Sequence, residues 1–179
     1  IRDSFGDVMQ WDLIPEVAIH QGELISSNPV FGLNALGGAI ALRLKNGFTY
    51  DGVGAEAYGG YFGRGGSQIE LGTSTDNAAL YFAFDRLHDD SWRNHERSDV
   101  ERAYANLAYR HDKFDLELDF VRSVTDLRGN GLTPVELLES NRRAVFTWPD
   151  QTKNDLLATT LSGNYFLNDS VSIQANTYI

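Results

Sequence analysis

From about residue 53 to the end of the chain, apolar and polar residues alternate with a period of two, and no other feature restricts the fold as much. Phe114, Leu116, Leu118 and Phe120 alternate with Asp115, Glu117 and Asp119. Ala103, Ala105, Leu107 and Tyr109 share one face, and Val171, Ile173, Ala175 and Thr177 alternate with Ser172, Gln174 and Asn176. Successive side chains of a strand point to opposite faces, so these runs read as strands with one apolar face each. Seven such runs occur, at 53–63, 67–75, 78–88, 100–110, 114–124, 155–166 and 170–179. No window approaches 18 apolar residues, so no transmembrane helix is expected. A membrane-spanning strand hides its lipid face by alternation and stays compatible with the low mean hydropathy.

The connections separate two kinds of sheet. Tight turns are expected at Thr75-Asp76-Asn77, His111-Asp112-Lys113 and Leu167-Asn168-Asp169, and longer loops at 89–99 and 125–154. Short turns alternating with long loops are the pattern of an outer-membrane barrel. Tyr109, Phe114 and Tyr165 fall beside short turns on the apolar face, where an interfacial aromatic girdle belongs. A soluble sandwich has the same alternation and would place these aromatics in its core, so both architectures stay open here.

Before Asn46-Gly47 the pattern is mixed. Leu13 to Val17 reads as a short helix or turn, 18–25 and 39–44 as strands, and 28–36 as a helical turn entered through Pro29 and broken at Gly37-Gly38. The ends at Ile1-Arg2-Asp3 and Thr177-Tyr178-Ile179 read as cut, so missing targeting signals carry no information. The net charge of −10, with scattered Lys and Arg, argues against nucleic acid as a partner. Without cysteine, disulfides and thiolate metal sites are excluded.

The stretch from Ser26 to Gly47 contains Pro29, the aromatic-glycine pair Phe31-Gly32, the run Asn34-Ala35-Leu36-Gly37-Gly38, and a strand ending in Lys45. It resembles the end of the plug domain of TonB-dependent outer-membrane receptors. The segment Asp7 to Pro15 looks like the family's approach to that region. Asp90-Ser91-Trp92-Arg93 to Asp99, and Arg128 to Gly131 with Pro134 to Leu138, resemble early barrel loops of one branch. The family often has Arg-Gly before the proline, where this chain has Ser26-Ser27-Asn28.

The resemblance implies a mainly β protein: a fragment of a plugged, antiparallel transmembrane β-barrel, seen as an open curved sheet of about seven strands with a small α/β plug remnant. Residues 1–47 would be the C-terminal part of the plug, with Pro29, Phe31, Gly32, Asn34, Gly37 and Gly38 as its structural motif, and 48–179 the first barrel strands. It further implies active uptake of a scarce ligand, most often a ferric siderophore or similar metal chelate, across the outer membrane of a Gram-negative bacterium. The expected partners are outer-membrane lipid and lipopolysaccharide, the chelate, and TonB through a segment missing from this chain. Such a receptor is not an enzyme and needs no cofactor or resident metal. About 22 strands close a plugged barrel, so seven should leave open edges.

Candidate ligand-binding residues lie on the long loops: Trp92, Arg93, Arg97, Arg128, Arg142, Arg143 and Trp148. Arginines there suit an anionic ligand, and equally suit a surface facing lipopolysaccharide or water. Two rival functions are weighed. A soluble all-β carbohydrate-binding module fits the alternation alone. A β-sheet hydrolase could use Asp115 and Glu117, roughly 7 Å apart as i,i+2 neighbours and near the spacing of inverting glycosidases; a polar lumen face explains the same residues more simply. His88, Asp89, Asp90 and His95 could gather at a loop around a metal, although a solvated loop is the simpler reading. The glycine-rich stretch 59–66 lacks the ending of a phosphate cradle and reads as a hairpin.

Overall fold

The structure, a computed structural model, describes residues 11–25, 39–129, 131–168 and 170–179. The helical turn expected at 28–36, and with it Pro29, Phe31, Gly32, Asn34, Gly37 and Gly38, lies outside the described residues.

The seven alternating runs form seven strands: β3 (Gly52–Gly59), β4 (Gly65–Ser74), β5 (Ala78–Asp89), β6 (Ser98–His111), β7 (Phe114–Arg128), β8 (Gln151–Asn168) and β9 (Val171–Tyr178). They pair in chain order as one open antiparallel sheet. Before them, β1 (Ile19–Ile25) and β2 (Ala39–Leu44) make a separate two-stranded antiparallel sheet. The expected short helix near residue 15 is two 3-10 turns, Trp11–Leu13 and Glu16–Ala18, on either side of Pro15.

Three strands are longer than their alternation suggested. β6 starts two residues early, β7 runs on to Arg128, and β8 begins at Gln151. Leu127 pairs with Thr152 and Arg128 with Gln151. Polar residues dominate this extension, and cross-strand contacts such as Lys153 with Asp126 at 3.5 Å replace the apolar signal. The first run instead ends early, at Gly59, because Phe62 (φ 59°) and Gly63 (φ 70°) turn the chain in the left-handed region. The connections 75–77, 112–113 and 169–170 therefore share one end of the sheet. The connections 60–64, 90–97 and 129–150 share the other.

The two faces differ. Residues 11–18 and 44–50 cover one face, which carries Tyr81, Ala83 and Asp85 of β5, Arg102, Tyr104 and Asn106 of β6, and Ser123 and Thr125 of β7, all buried. Ala18, Tyr81, Ala83 and Tyr104 form the small core, flanked by Val17, Leu44, Tyr50 and Val121. The register puts Asp115, Glu117 and Asp119 on this same face. The opposite face presents Leu107, Leu116 and Leu161 at 47%, 44% and 44% exposure, with Phe120, Val171 and Ile173 beside them. Among the described residues nothing packs over it. A dry core between two sheets, as in a sandwich, is not what these apolar side chains make.

The chain passes from the covering segment into the sheet at 45–50. Asn46 closes a turn by accepting from the backbone N–H groups of Phe48 and Thr49. Gly47 is buried so tightly that a Cβ there would lie 2.5 Å from the carbonyl oxygens of Leu80 and Thr73. Gly47→Ala is expected to cost about 1–3 kcal/mol, as other overpacked sites do. Gly59→Ala, with open space around it, should leave the denaturant midpoint unchanged or raised.

Candidate functional site

The two long loops meet at one end of the sheet. Within 129–150, Pro134 precedes a short helix, α1 (Val135–Ser140). Proline suits a helix start because its fixed φ and missing N–H cost nothing there. The helix stops at Asn141, whose Oδ1 accepts from the Arg143 N–H at 3.0 Å. The turn directs Arg143 onto the neighbouring loop. Its guanidinium Nε donates to the Trp92 carbonyl at 2.8 Å, and its own carbonyl accepts from the Asn94 N–H at 2.9 Å. The His95 ring lies 4.7 Å from that of Trp148.

Between the docked loops is an open cleft of about 470 Å³, lined by Trp92, Arg93, Val135, Leu138, Glu139 and Arg142. The Arg93 guanidinium stands 5.2 Å from the Trp92 ring centroid, a cation–π distance. Two guanidiniums beside an indole and two aliphatic side chains suit a small anionic ligand with a planar or apolar part.

The structure thus divides the seven candidate residues. Trp92, Arg93 and Arg142 line the cleft; Arg143 and Trp148 hold the loops together. Arg97 and Arg128 sit at strand ends, Arg97 Nε on Asp99 Oδ2 at 3.0 Å and Arg128 Nε 3.7 Å from Asp126. The Asp99 carboxylate pushes the Arg97 guanidinium up from its ordinary value. Val135, Leu138 and Glu139 were not singled out by the sequence reading. Their signal was present: a proline followed by apolar residues three apart.

A second polar assembly lies on the covered face. Glu70 Oε2 accepts from Lys45 Nζ and from the Tyr81 hydroxyl, each at 2.7 Å. The Tyr81 hydroxyl also lies 3.3 Å from the Val17 carbonyl. Tyr50 packs edge-on against Tyr81, and partial burial together with the Glu70 carboxylate raises its phenol pKa. Asn46 Nδ2 donates to Glu117 Oε1 at 3.1 Å. Asp119 Oδ1 accepts from Tyr104 and Asn106 at 2.6 and 2.8 Å. Arg102 grips Asp85 with two nitrogens, a charge pair with about nine-tenths of each side chain buried.

Glu117 and Asp119 thus accept from structural donors, and Asp115 and Glu117 both line a small cavity of about 140 Å³ with Arg110 and Asn164. No group of three or more His, Asp or Glu among the described residues is arranged to hold a metal. His88 and His95 are engaged separately: His88 bonds Asp99 and Asp90, and the His95 ring packs at a tilt against Trp148.

Arg143→Ala should release the 129–150 loop and speed its proteolysis about tenfold, the equivalent of one charge-assisted hydrogen bond of about 1.4 kcal/mol. Arg142→Ala should leave the loops docked and their cleavage rate unchanged. No protein-family model matches the chain, and no curated protein matches it.

Proposed function

We propose that the chain is the end of the plug and the first seven strands of the barrel of a TonB-dependent outer-membrane receptor that takes up a scarce ligand, first among candidates a ferric siderophore or similar anionic chelate. The observation that carries this reading is the inversion of the sheet. Its apolar face is bare, while its polar face holds the covering segment. A soluble sheet buries its apolar face; a barrel wall turns that face to lipid and keeps polar groups inward.

Three further features support it. Strands of 14, 15 and 18 residues far exceed the roughly 5–6 of ordinary globular sheets. From Tyr165 to Leu157 the bare face of β8 covers about 26 Å at ~3.3 Å per residue, most of a roughly 25 Å lipid band once strand tilt is allowed for. Beyond Phe84, Ala103, Phe120 and Leu157 that face turns charged, with Arg86 on Glu101 and Arg122 on Asp155. Those four positions mark the outer limit of the membrane-spanning stretches in this reading. At the other limit, Tyr109 and Phe114 stack 5.8 Å apart beside the short turns, with Tyr165 opposite Phe114 in the register. Short turns would face the periplasm, and the loop cleft the outside.

In this reading residues 1–47 belong to the plug that closes the lumen. Ligand seated at the loops would bias the plug, and TonB, engaging a segment outside this chain, would pull it. Lipid and lipopolysaccharide would surround the bare face.

Fractionation of cells producing the full-length protein tests this first. Recovery in the outer membrane, resistant to alkaline carbonate, is expected; recovery as a soluble monomer would overturn the reading. Leu118→Arg should block membrane assembly, since a cation near the bilayer midplane costs about 2–4 kcal/mol, while the inward substitution Ser162→Arg should assemble. Loss of growth on a ferric chelate as sole iron source, on deleting the gene, would identify the ligand class.

A further inference from the structure

The base of the 90–97 loop is closed by one imidazole between two carboxylates. His88 Nδ1 lies 2.7 Å from Asp99 Oδ1, and Nε2 lies 3.1 Å from Asp90 Oδ1. Asp90 opens the loop, and Arg97, its last residue, donates to the other oxygen of Asp99. Two strand residues, His88 and Asp99, thereby tie both ends of the segment that carries Trp92 and Arg93. A neutral imidazole has one N–H and one bare lone pair, so it can serve only one of these carboxylates. Only the imidazolium donates to both.

We propose that His88, with Asp90, Asp99 and Arg97, forms a proton-operated clasp that sets the shape of the Trp92–Arg93 side of the loop cleft. Protonated, the clasp fixes the loop against Arg143; deprotonated, it leaves the His88 lone pair facing a carboxylate, and the loop base opens. The role given to the cleft rests on the uptake reading, while the clasp itself rests only on this geometry.

The surroundings favour the charged ring. His88 lies beyond Phe84, outside the apolar band. Its partner across β4 is Gly65, which brings no charge, and the preceding Arg64 is engaged by Asp89. On β6 it faces Asp99, with Glu101 bound to Arg86 two positions along. Asp126 of β7, opposite Asp99, is shared with Lys153 and Arg128. Arg97 is the nearest opposing cation. The hydrogen bond that His88 donates to Asp99 is the largest influence and, with the Asp90 charge, raises His88 above its ordinary value. A raised folded-state pKa means that the clasp is complete below that pKa and is lost as pH rises through it. At the acid end it persists until Asp99, lowered chiefly by His88, takes up a proton.

This stretch has no cysteine, so with any cysteine elsewhere in the full-length protein replaced, Asn94→Cys admits a single nitroxide label on the loop without touching the Asn94 N–H bond to Arg143. In the folded full-length protein, the mobile fraction should rise roughly threefold or more between about pH 6 and about pH 9. His88→Gln should be mobile across that range, and His88→Lys should stay immobile. Asp90→Asn, whose amide N–H can meet the neutral ring's lone pair, should stay immobile across that range. A flat profile in the parent protein, or an unchanged profile in His88→Gln, would overturn the clasp. A soluble protein with the expected profile would overturn the uptake reading and leave the clasp standing.

Discussion

The Tyr81 side chain, completely buried at the middle of β5, is where sheet and covering segment are joined. Its ring sits among Ala18, Ala83 and Tyr104, and its hydroxyl donates to Glu70, with the Val17 carbonyl beside it at 3.3 Å. A sheet that turns its polar face inward must match every inward oxygen and nitrogen, because an unmatched buried polar group costs about 1–3 kcal/mol. Lys45, Asn46 and the backbone carbonyls of Asp12 and Val17 meet part of that requirement, whereas Asn106 Oδ1 is buried without a hydrogen-bond partner. The buried Arg102–Asp85 pair follows the same rule. Removing one partner leaves an uncompensated charge, so the two residues are tolerable only together.

The two ends of the sheet are built differently. At the short-turn end, main-chain ties lock neighbouring hairpins, as where Arg110 donates to the Asn77 carbonyl and Phe166 to that of Lys113. At the loop end a few main-chain bonds, such as Asn94 to Arg143, are joined by exposed ionic and aromatic contacts, as in His88 with Asp90, Arg64 with Asp89, and His95 on Trp148. Exposed contacts of this kind are individually weak and responsive to pH and salt. Rigidity belongs to the turns, and responsiveness to the loops.

Much of the fold was legible in the sequence because the alternation of residues such as Leu116 and Leu118 with Glu117 and Asp119 marks strands with two unlike faces. What alternation could not mark was the continuation of β7 and β8 past Val124 and Asp155. There both faces are polar, and pairing is fixed by side chains 25 or more residues apart, such as Gln151 and Asp126. The candidate site was half legible for a related reason. Loop position singled out Trp92, Arg93 and Arg142, but composition does not distinguish an arginine that faces a ligand from one, such as Arg143, that braces a neighbouring loop. That difference depends on which carbonyl lies within reach, and only the packed loops decide it.

From β3 to the Phe166 end of β8 the pairing runs without a bulge. A slip of one residue anywhere would carry Asp119 to the apolar face and Leu118 to the interior, so the ladder is held to one register by chemistry on both sides. The loops lie outside that constraint. Residues can be added or removed between Asp90 and Arg97, or around α1, without changing a single rung. The sheet can therefore stay constant while the loop end diversifies, because a change of loop length leaves every strand pair where it was.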